Sequence, residues 1–187
     1  MSDWTHAYAG RRAVVFGASG FIGRWTVRAL ADVGANVVAV GRRHSAVAAA
    51  LGGARADIVE YDLAFPLAAD WLQSLNPDVV FNLAGYGVDR TERDERIARR
   101  LNQEFVGELA HHVSLLGNTG WRHARLVHAG SALEYGSVEG VLREDALPAA
   151  TTLYGRTKLG GTQVIAECAH ATGLRAVVGR LFTVYGP

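Results

Sequence analysis

The chain has 187 residues, of which 49% are hydrophobic and 20% are charged, and its formal net charge is +1. This balance indicates a folded globular protein rather than a disordered one, and it gives no sign of a nucleic-acid partner or an anionic membrane partner. The single cysteine, Cys168, excludes an internal disulfide and fits a reducing compartment. No apolar run approaches the ~20 residues that span a bilayer, and no signal peptide is evident. We therefore expect one cytoplasmic domain over residues 1–187.

Apolar strand-like runs alternate with helical patterns along the chain. The predicted strands are 13–16, 37–40, 58–61, 79–83, 125–129 and 176–181, and the predicted helices are 24–33, 45–51, 67–74, 90–116 and 154–172. Continuous apolar strands with helices between them predict an α/β fold, a doubly wound parallel sheet covered on both faces. Ligands of such sheets bind beyond the carboxyl ends of the strands.

Three glycines follow the first predicted strand and precede the first predicted helix. Glycine permits a tight turn and lets a pyrophosphate approach the backbone, because no Cβ is in the way. The N–H groups and the dipole of the helix then meet the phosphate charge. The spacing G-x-x-G-x-x-G is weak evidence by itself, but the order of strand, turn and helix predicts a Rossmann-like dinucleotide site. Its candidate residues are Gly17, Ser19, Gly20, Phe21, Ile22 and Gly23.

Two arginines, Arg42 and Arg43, follow the second predicted strand. An acidic residue at this place would bind the ribose 2′-hydroxyl of NAD, and the sequence offers none there. Guanidinium groups suit a 2′-phosphate through charge-assisted hydrogen bonds. We therefore expect NADP as the cofactor and keep NAD as the alternative. One of the two arginines is expected to be only a solvated loop charge.

The third predicted strand ends in Asp62 and Leu63. Asp62 is a candidate acceptor for the adenine amino group, with Leu63 packing on the adenine ring. A turn or helix-capping aspartate is an equally good interpretation of Asp62.

A third candidate group consists of Ser131, Tyr154 and Lys158. Residues four apart on a helix share a face, so Tyr154 and Lys158 are expected to point together toward the cofactor. A phenol with a pKa of ~10 is a poor base, but a neighbouring ammonium and a cationic nicotinamide ring lower that pKa. Tyr154 then moves the proton of a substrate hydroxyl while hydride passes to or from the nicotinamide, and Ser131 holds the same oxygen.

The motifs resemble those of the extended short-chain dehydrogenases, also called the NAD-dependent epimerase/dehydratase family. The matching pieces run through the whole chain in family order, at 17–23, 62–63, 82–85, Asn102, 131–136, 154–158 and 180–187. The resemblance implies that Ser131, Tyr154 and Lys158 are catalytic and that Asn102 supports the proton relay through water. It also implies further cofactor contacts at Leu83, Ala84, Gly85, Phe182, Thr183 and Val184. A nucleotide sugar as substrate, and a homodimer formed through helices 90–116 and 154–172, follow from the same resemblance.

The sequence departs from the family pattern in two places. Ala132 and Leu133 stand where the sugar 4,6-dehydratases carry an Asp and a Glu, so elimination of water is not expected. Glu134 comes one position late and is expected to face another way. Relatives also continue beyond the equivalent of Gly186 with more sheet and a substrate-binding lobe, so we expect the chain to be the cofactor half of a larger enzyme.

The sequence leaves the reaction open between a 4-ketoreductase and an epimerase of nucleotide sugars. The arginines favour the reductase modestly. The alternatives are reduction of a non-sugar carbonyl compound and a non-catalytic dinucleotide-binding regulator, since a fold does not fix a function. No residue spacing predicts a metal site. His128, on a buried predicted strand, is interpreted as a core histidine with satisfied hydrogen bonds.

Overall fold

The structure, a computed structural model, describes residues 4–89, 91–137 and 141–186. Its strands are β1 (Arg12–Phe16), β2 (Asn36–Gly41), β3 (Asp57–Glu60), β4 (Val79–Asn82), β5 (Leu126–Ser131) and β6 (Ala176–Leu181). Its α-helices are α1 (Trp4–Tyr8), α2 (Phe21–Asp32), α3 (His44–Leu51), α4 (Ala69–Leu75), α5 (Glu95–Arg99), α6 (Phe105–Ser114) and α7 (Leu153–Thr172). A π-helical segment (Arg100–Glu104) joins α5 to α6, and a 3-10 helix (Ala132–Glu134) follows β5.

The six strands form one parallel sheet in the order β3-β2-β1-β4-β5-β6. The predicted doubly wound sheet is confirmed, and each predicted strand is present within two residues of its expected ends. From β1 the sheet is extended on one side by β2 and β3 and on the other side by β4, β5 and β6. The order of the strands therefore reverses between β1 and β4, and ligands of open α/β sheets bind at such a point. The phosphate turn predicted after β1 therefore lies at the switch point.

The largest difference from the predicted elements is the start of the helix expected over 90–116. The observed helix begins at Glu95, because the Asp94 side chain accepts the N–H groups of Arg96 and Ile97 and so caps it. Residue 90 itself lies outside the described residues, as does residue 187 at the end of the family motif 180–187. The short helix α1 was not predicted.

Alternating side chains of β1 fill the cores on the two faces of the sheet. Ala13 and Val15 belong to the cluster under α2 and α3, whereas Val14 and Phe16 belong to the cluster under α4, α6 and α7. The lone cysteine, Cys168, is half-buried on α7 against the second of these clusters. Burial of both faces explains why the strands read as continuous apolar runs.

Candidate active site

The turn after β1 presents backbone N–H groups at the switch point. Gly17 adopts a left-handed conformation with φ +76°, and its carbonyl oxygen accepts the N–H of Gly20 at 2.9 Å. Helix α2 begins at the next residue, Phe21, and its N-cap residue Gly20 has no side chain to occupy the first N–H groups. N–H groups at the start of a helix attract anions, and Ser19 lies exposed beside them.

Two of the three glycines are required by close packing. A Cβ on Gly17 would lie 2.7 Å from the backbone nitrogen of Ala84, the second residue after β4. A Cβ on Gly23 would overlap the carbonyl oxygen of Gly17. The turn is thus packed both against α2 and against the end of β4, where Leu83 and Ala84 are half-buried.

The edge beyond β2 carries both signs of charge. Arg42 and Arg43 are exposed, as a contact with a 2′-phosphate requires. Glu60 pairs with Gly41 across the sheet, and its carboxylate accepts the N–H of His44, the first residue of α3. The sequence itself shows no carboxylate at the end of β2, because the register that brings Glu60 there from β3 is not visible in one sequence.

Asp62 and Leu63, the two candidate adenine contacts, lie in the loop after β3. Asp62 Oδ1 accepts the N–H of Ala64 at 3.0 Å, which is the turn role. Leu63 is 9% exposed and packs in the core, so only a small part of its side chain is accessible. Its contact with an adenine ring stays a prediction.

Asn102, in the π-helical segment, is hydrogen-bonded to the backbone of the loop that follows β4. Its Oδ1 accepts the N–H of Tyr86 at 2.9 Å, and its Nδ2 donates to the Tyr86 carbonyl at 2.8 Å and to Thr157 Oγ1 at 2.9 Å. The side chain is fully buried. Its amide therefore joins this loop to α7, and a part in a water-mediated relay stays a prediction.

Tyr154 and Lys158 both meet the loop that Asn102 holds. A Cβ on Gly87 would lie 3.1 Å from Cδ2 of Tyr154, and a Cβ on Gly85 would lie 3.8 Å from Nζ of Lys158. Lys158 is 2% exposed, which is unusual for a lysine and indicates a specific role. The pair lies beside the end of β4, against which the glycine turn also packs.

Ser131 ends β5, the strand next to β4. It is 7% exposed, and its Oγ accepts the N–H of Leu133 at 3.2 Å. This hydrogen bond caps the start of the 3-10 helix. Gly155 of α7 packs directly on the carbonyl oxygen of Leu133. The start of α7, which carries Tyr154, is thereby held against the segment that follows Ser131.

The protein's own environment does not lower the pKa of Tyr154 as the sequence analysis expected. Burial raises it, and the charges of Glu134 and Glu92 raise it further. Burial lowers the pKa of Lys158 to about 8, although Glu134 acts in the opposite direction. The expected depression at Tyr154 ignored burial and two carboxylates, whose positions depend on the tertiary fold.

The fully buried Glu134 and the half-buried Arg180 form an ion pair that the sequence did not reveal. The Glu134 Oε2 atom lies 3.0 Å from Arg180 Nε, and Oε1 accepts the N–H of Ser131 at 2.7 Å. The sequence features that could have indicated this ion pair are an acidic residue on a short segment after a buried strand and an arginine within an apolar strand. Neither reveals the other as its partner.

His128 does not have the satisfied hydrogen bonds that were expected. It is 1% exposed on β5, and neither ring nitrogen has a partner among the described residues. Burial, together with the charge of Lys158, holds its pKa well below the ordinary value. The histidine is therefore neutral at physiological pH.

The segment after β6 borders two cavities. Phe182 lines one of about 610 Å³ together with Arg180 and Thr162. Val184 lines another of about 450 Å³ together with Trp25 of α2. Phe182, Thr183 and Val184 are all exposed, so the segment predicted to lie against the nicotinamide is accessible.

The described ranges contain neither a metal-binding cluster nor a membrane-spanning helix. No set of three or more His, Cys, Asp or Glu side chains there is arranged to hold a metal ion. No helix within them combines the length and the apolarity that crossing a bilayer demands.

A glycine turn at the switch point of a doubly wound parallel sheet is where α/β proteins of this class bind dinucleotides, and the Tyr and Lys pair lies at the same edge. Residues 13–187 match the family model of the NAD dependent epimerase/dehydratase family, and the chain belongs to that family. The resemblance seen in the sequence is thus confirmed.

Three similar proteins illustrate the family. A UDP-glucose 4-epimerase of Azospirillum brasilense is 31% identical over 195 aligned residues, covering 100% of this chain and 52% of the relative. A dTDP-6-deoxy-L-talose 4-dehydrogenase (NAD(P)(+)) of Kitasatospora kifunensis is 31% identical, covering 94% and 53%. The structure of MoeE5 in complex with UDP-glucose and NAD is 34% identical with a TM-score of 0.77, covering 95% and 56%. The chain spans about half the length of these relatives.

Proposed function

We propose that the chain takes part in hydride transfer between a nicotinamide dinucleotide and the hydroxyl or keto carbon of a nucleotide-activated sugar, as a 4-ketoreductase or an epimerase. The observation that carries the proposal is the meeting of Tyr154 and the buried Lys158 at the loop beside the glycine turn. A purely dinucleotide-binding regulator has no need of a buried lysine there. In this proposal residues 1–187 are the dinucleotide-binding unit of the enzyme.

Each residue has a defined part in the proposed chemistry. The N–H groups at the start of α2 would hold the pyrophosphate, and the bound nicotinamide would accept or supply the hydride. Tyr154 exchanges a proton with the substrate oxygen, while Ser131 hydrogen-bonds the same oxygen. The raised pKa of Tyr154 keeps its phenol protonated at neutral pH, which is the form that donates a proton during carbonyl reduction.

Relatives of both reaction types support leaving the reaction open. An epimerase, a 4-dehydrogenase and a probable 4-ketoreductase from Streptomyces antibioticus are similar to this chain at 31%, 31% and 33% identity. A 4,6-dehydratase reaction is not proposed, because Ala132 and Leu133 carry no acid or base. Glu134 does not replace them, since its carboxylate is engaged by Ser131, Thr162 and Arg180.

The experiment that tests the function offers two substrates to the purified protein. One reaction contains UDP-glucose and NAD⁺, and the other contains a dTDP-4-keto-6-deoxyhexose and NADPH. An epimerase forms the 4-epimer of the UDP-sugar without net change in absorbance at 340 nm. A ketoreductase consumes NADPH in the second reaction. Absence of product in both would contradict the proposed function.

The cofactor preference proposed here is NADP, held by Arg42 and Arg43. Both arginines are exposed at the end of β2, but Glu60 places a carboxylate at the same edge, which moderates the preference. Replacing both arginines by glutamine is expected to weaken NADP⁺ binding about 10- to 100-fold, since charge-assisted hydrogen bonds contribute about 1.5–3 kcal/mol. Affinity for NAD⁺ should stay the same in a calorimetric titration, and a parallel loss for both dinucleotides would show that the arginines do not read the 2′-phosphate.

A homodimer and a cytoplasmic location complete the proposal. The dimer would form through residues 90–116 and 154–172, where α6 and α7 already pack against each other within one chain. Nucleotide sugars as substrates fit a cytoplasmic enzyme.

A further inference from the structure

Glu134 is a fully buried carboxylate that joins three parts of the fold. Its Oε1 accepts the N–H of Ser131, the last residue of β5, at 2.7 Å. Its Oε2 accepts the hydroxyl of Thr162 on α7 at 2.8 Å and lies 3.0 Å from Nε of Arg180 on β6. Its exposed fraction is 0%. All its contacts are therefore with the protein, and they converge on the elements that carry the proposed catalytic residues.

Arg180 is fixed in place by more than the ion pair. Its Nη1 atom donates to the hydroxyl of Tyr135 at 2.9 Å, and its guanidinium lies 4.5 Å from the centroid of the Tyr135 ring. Nη1 also donates to the carbonyl of Glu144 at 3.4 Å. These contacts leave the guanidinium little freedom, so the carboxylate of Glu134 is held at one place.

The same carboxylate is bonded to a residue one helical turn from Lys158. Thr162, which donates to Glu134, follows Lys158 by four residues on α7, and such residues are neighbours on one helix face. Among the described residues, the titratable groups that act on this lysine, or on Tyr154 one helical turn before it, are the neutral His128 on β5, Glu134 and Glu92. Glu134 is the anion that favours the charged form of Lys158.

We propose that Glu134, held by Arg180, is a positioning residue of the proton relay: it fixes the backbone of Ser131 and supplies the buried counter-charge of Lys158. The inference rests on the proposed function, in which Ser131, Tyr154 and Lys158 act on the substrate. A lysine buried without a counter-charge loses its proton, and a neutral amine does not stabilise a phenolate. The ion pair thus preserves the charge that the relay uses.

The sequence provides a direct measurement, because Lys158 is the only lysine in the chain. Labelling with ¹³Cε-lysine gives one NMR signal whose pH titration reports this side chain alone. In the wild-type protein the midpoint is expected near the pKa of about 8. Glu134→Gln keeps a side-chain oxygen to accept the Ser131 N–H but removes the charge, and it is expected to lower the midpoint by about one pH unit.

The sign of the shift separates an electrostatic role from a merely structural one. Loosening or unfolding exposes Lys158 to water, which moves its midpoint upward toward the ordinary lysine value of ~10.4. Loss of the counter-charge in a folded protein moves it downward.

Two control variants complete the test. Glu167→Gln removes an exposed carboxylate from the same helix, and Thr162→Val removes a neutral donor while keeping the charge, so both should titrate as the wild type does.

Breaking one side of a buried ion pair often destabilises a protein strongly, so Glu134→Gln is paired with the double variant Glu134→Gln, Arg180→Met. Removing both charges avoids an unpaired guanidinium and preserves the test if the single variant does not fold. A downward shift in a folded variant supports the proposal, and an unchanged or raised midpoint overturns it. The titration needs no cofactor, so its result is independent of the hydride-transfer assay, whose failure would contradict the proposed function instead.

Discussion

Replacing Tyr154 by phenylalanine is expected to abolish turnover while leaving dinucleotide affinity unchanged. The phenylalanine ring keeps the packing of Tyr154 against Gly87 but has no proton to exchange with the substrate oxygen. General acid–base catalysis contributes about 10²- to 10⁴-fold, and a loss of that size is expected in the steady-state rate. The measurement is product formation from the nucleotide sugar, beside a calorimetric titration with the dinucleotide.

A matched control for this variant is Tyr8→Phe. Tyr8 lies on α1, before the first strand, and its ring packs on Trp121 rather than at the carboxyl edge of the sheet. The same loss of one hydroxyl should leave turnover within about twofold of the wild type, because nothing at the site changes. Retention of more than about one tenth of the rate in Tyr154→Phe would contradict the assignment of the proton relay.

The second large effect is expected from Gly23→Ala in the phosphate turn. The new Cβ would overlap the carbonyl oxygen of Gly17 and would lie 2.8 Å from the Gly17 carbonyl carbon. Because these are backbone atoms, the overlap can be relieved only by moving α2 away from β1. Overpacking of this kind costs about 1–3 kcal/mol or more in the free energy of unfolding, and we expect the upper end. Dinucleotide affinity should fall at least about tenfold, since the N–H groups of α2 move with the helix.

Gly117→Ala is the control for the glycine variant. A Cβ on Gly117 meets nothing within 4 Å, so this substitution should change the free energy of unfolding by less than about 0.5 kcal/mol. Urea unfolding of both variants, with the dinucleotide titration of each, measures the two effects. Equal stability and equal affinity of Gly23→Ala and the wild type would show that the turn does not depend on close packing between Gly23 and Gly17.

The sheet could be predicted from the sequence because its signals are local. Runs such as 13–16 and 37–40 are apolar on both faces, and this pattern is typical of strands in a parallel sheet. The glycine turn and the four-residue spacing of Tyr154 and Lys158 are local in the same sense. The start of the helix expected over 90–116 was missed because its cap, Asp94, lies within a run of mixed charges that fits a helix equally well.

The parts of the site that could not be predicted depend on contacts between distant segments. Glu60 reaches the end of β2 only through the register of β3, and Glu134 meets Arg180 across 46 residues. The pKa of Tyr154 is raised, because the fold buries the phenol and brings two carboxylates near it. The burial of Leu63 likewise depends on the loop after β3, whose course one sequence does not specify.

A calorimetric titration of the purified chain with NADPH, NADP⁺, NADH and NAD⁺ tests the proposed dinucleotide site. We expect saturable binding of a nicotinamide dinucleotide, abolished or strongly weakened in Gly23→Ala, with the phosphorylated pair preferred through Arg42 and Arg43. A preference for NAD⁺ or NADH would overturn the role of the arginines and favour the epimerase. The absence of binding by all four dinucleotides would contradict the central claim that the glycine turn is a dinucleotide site.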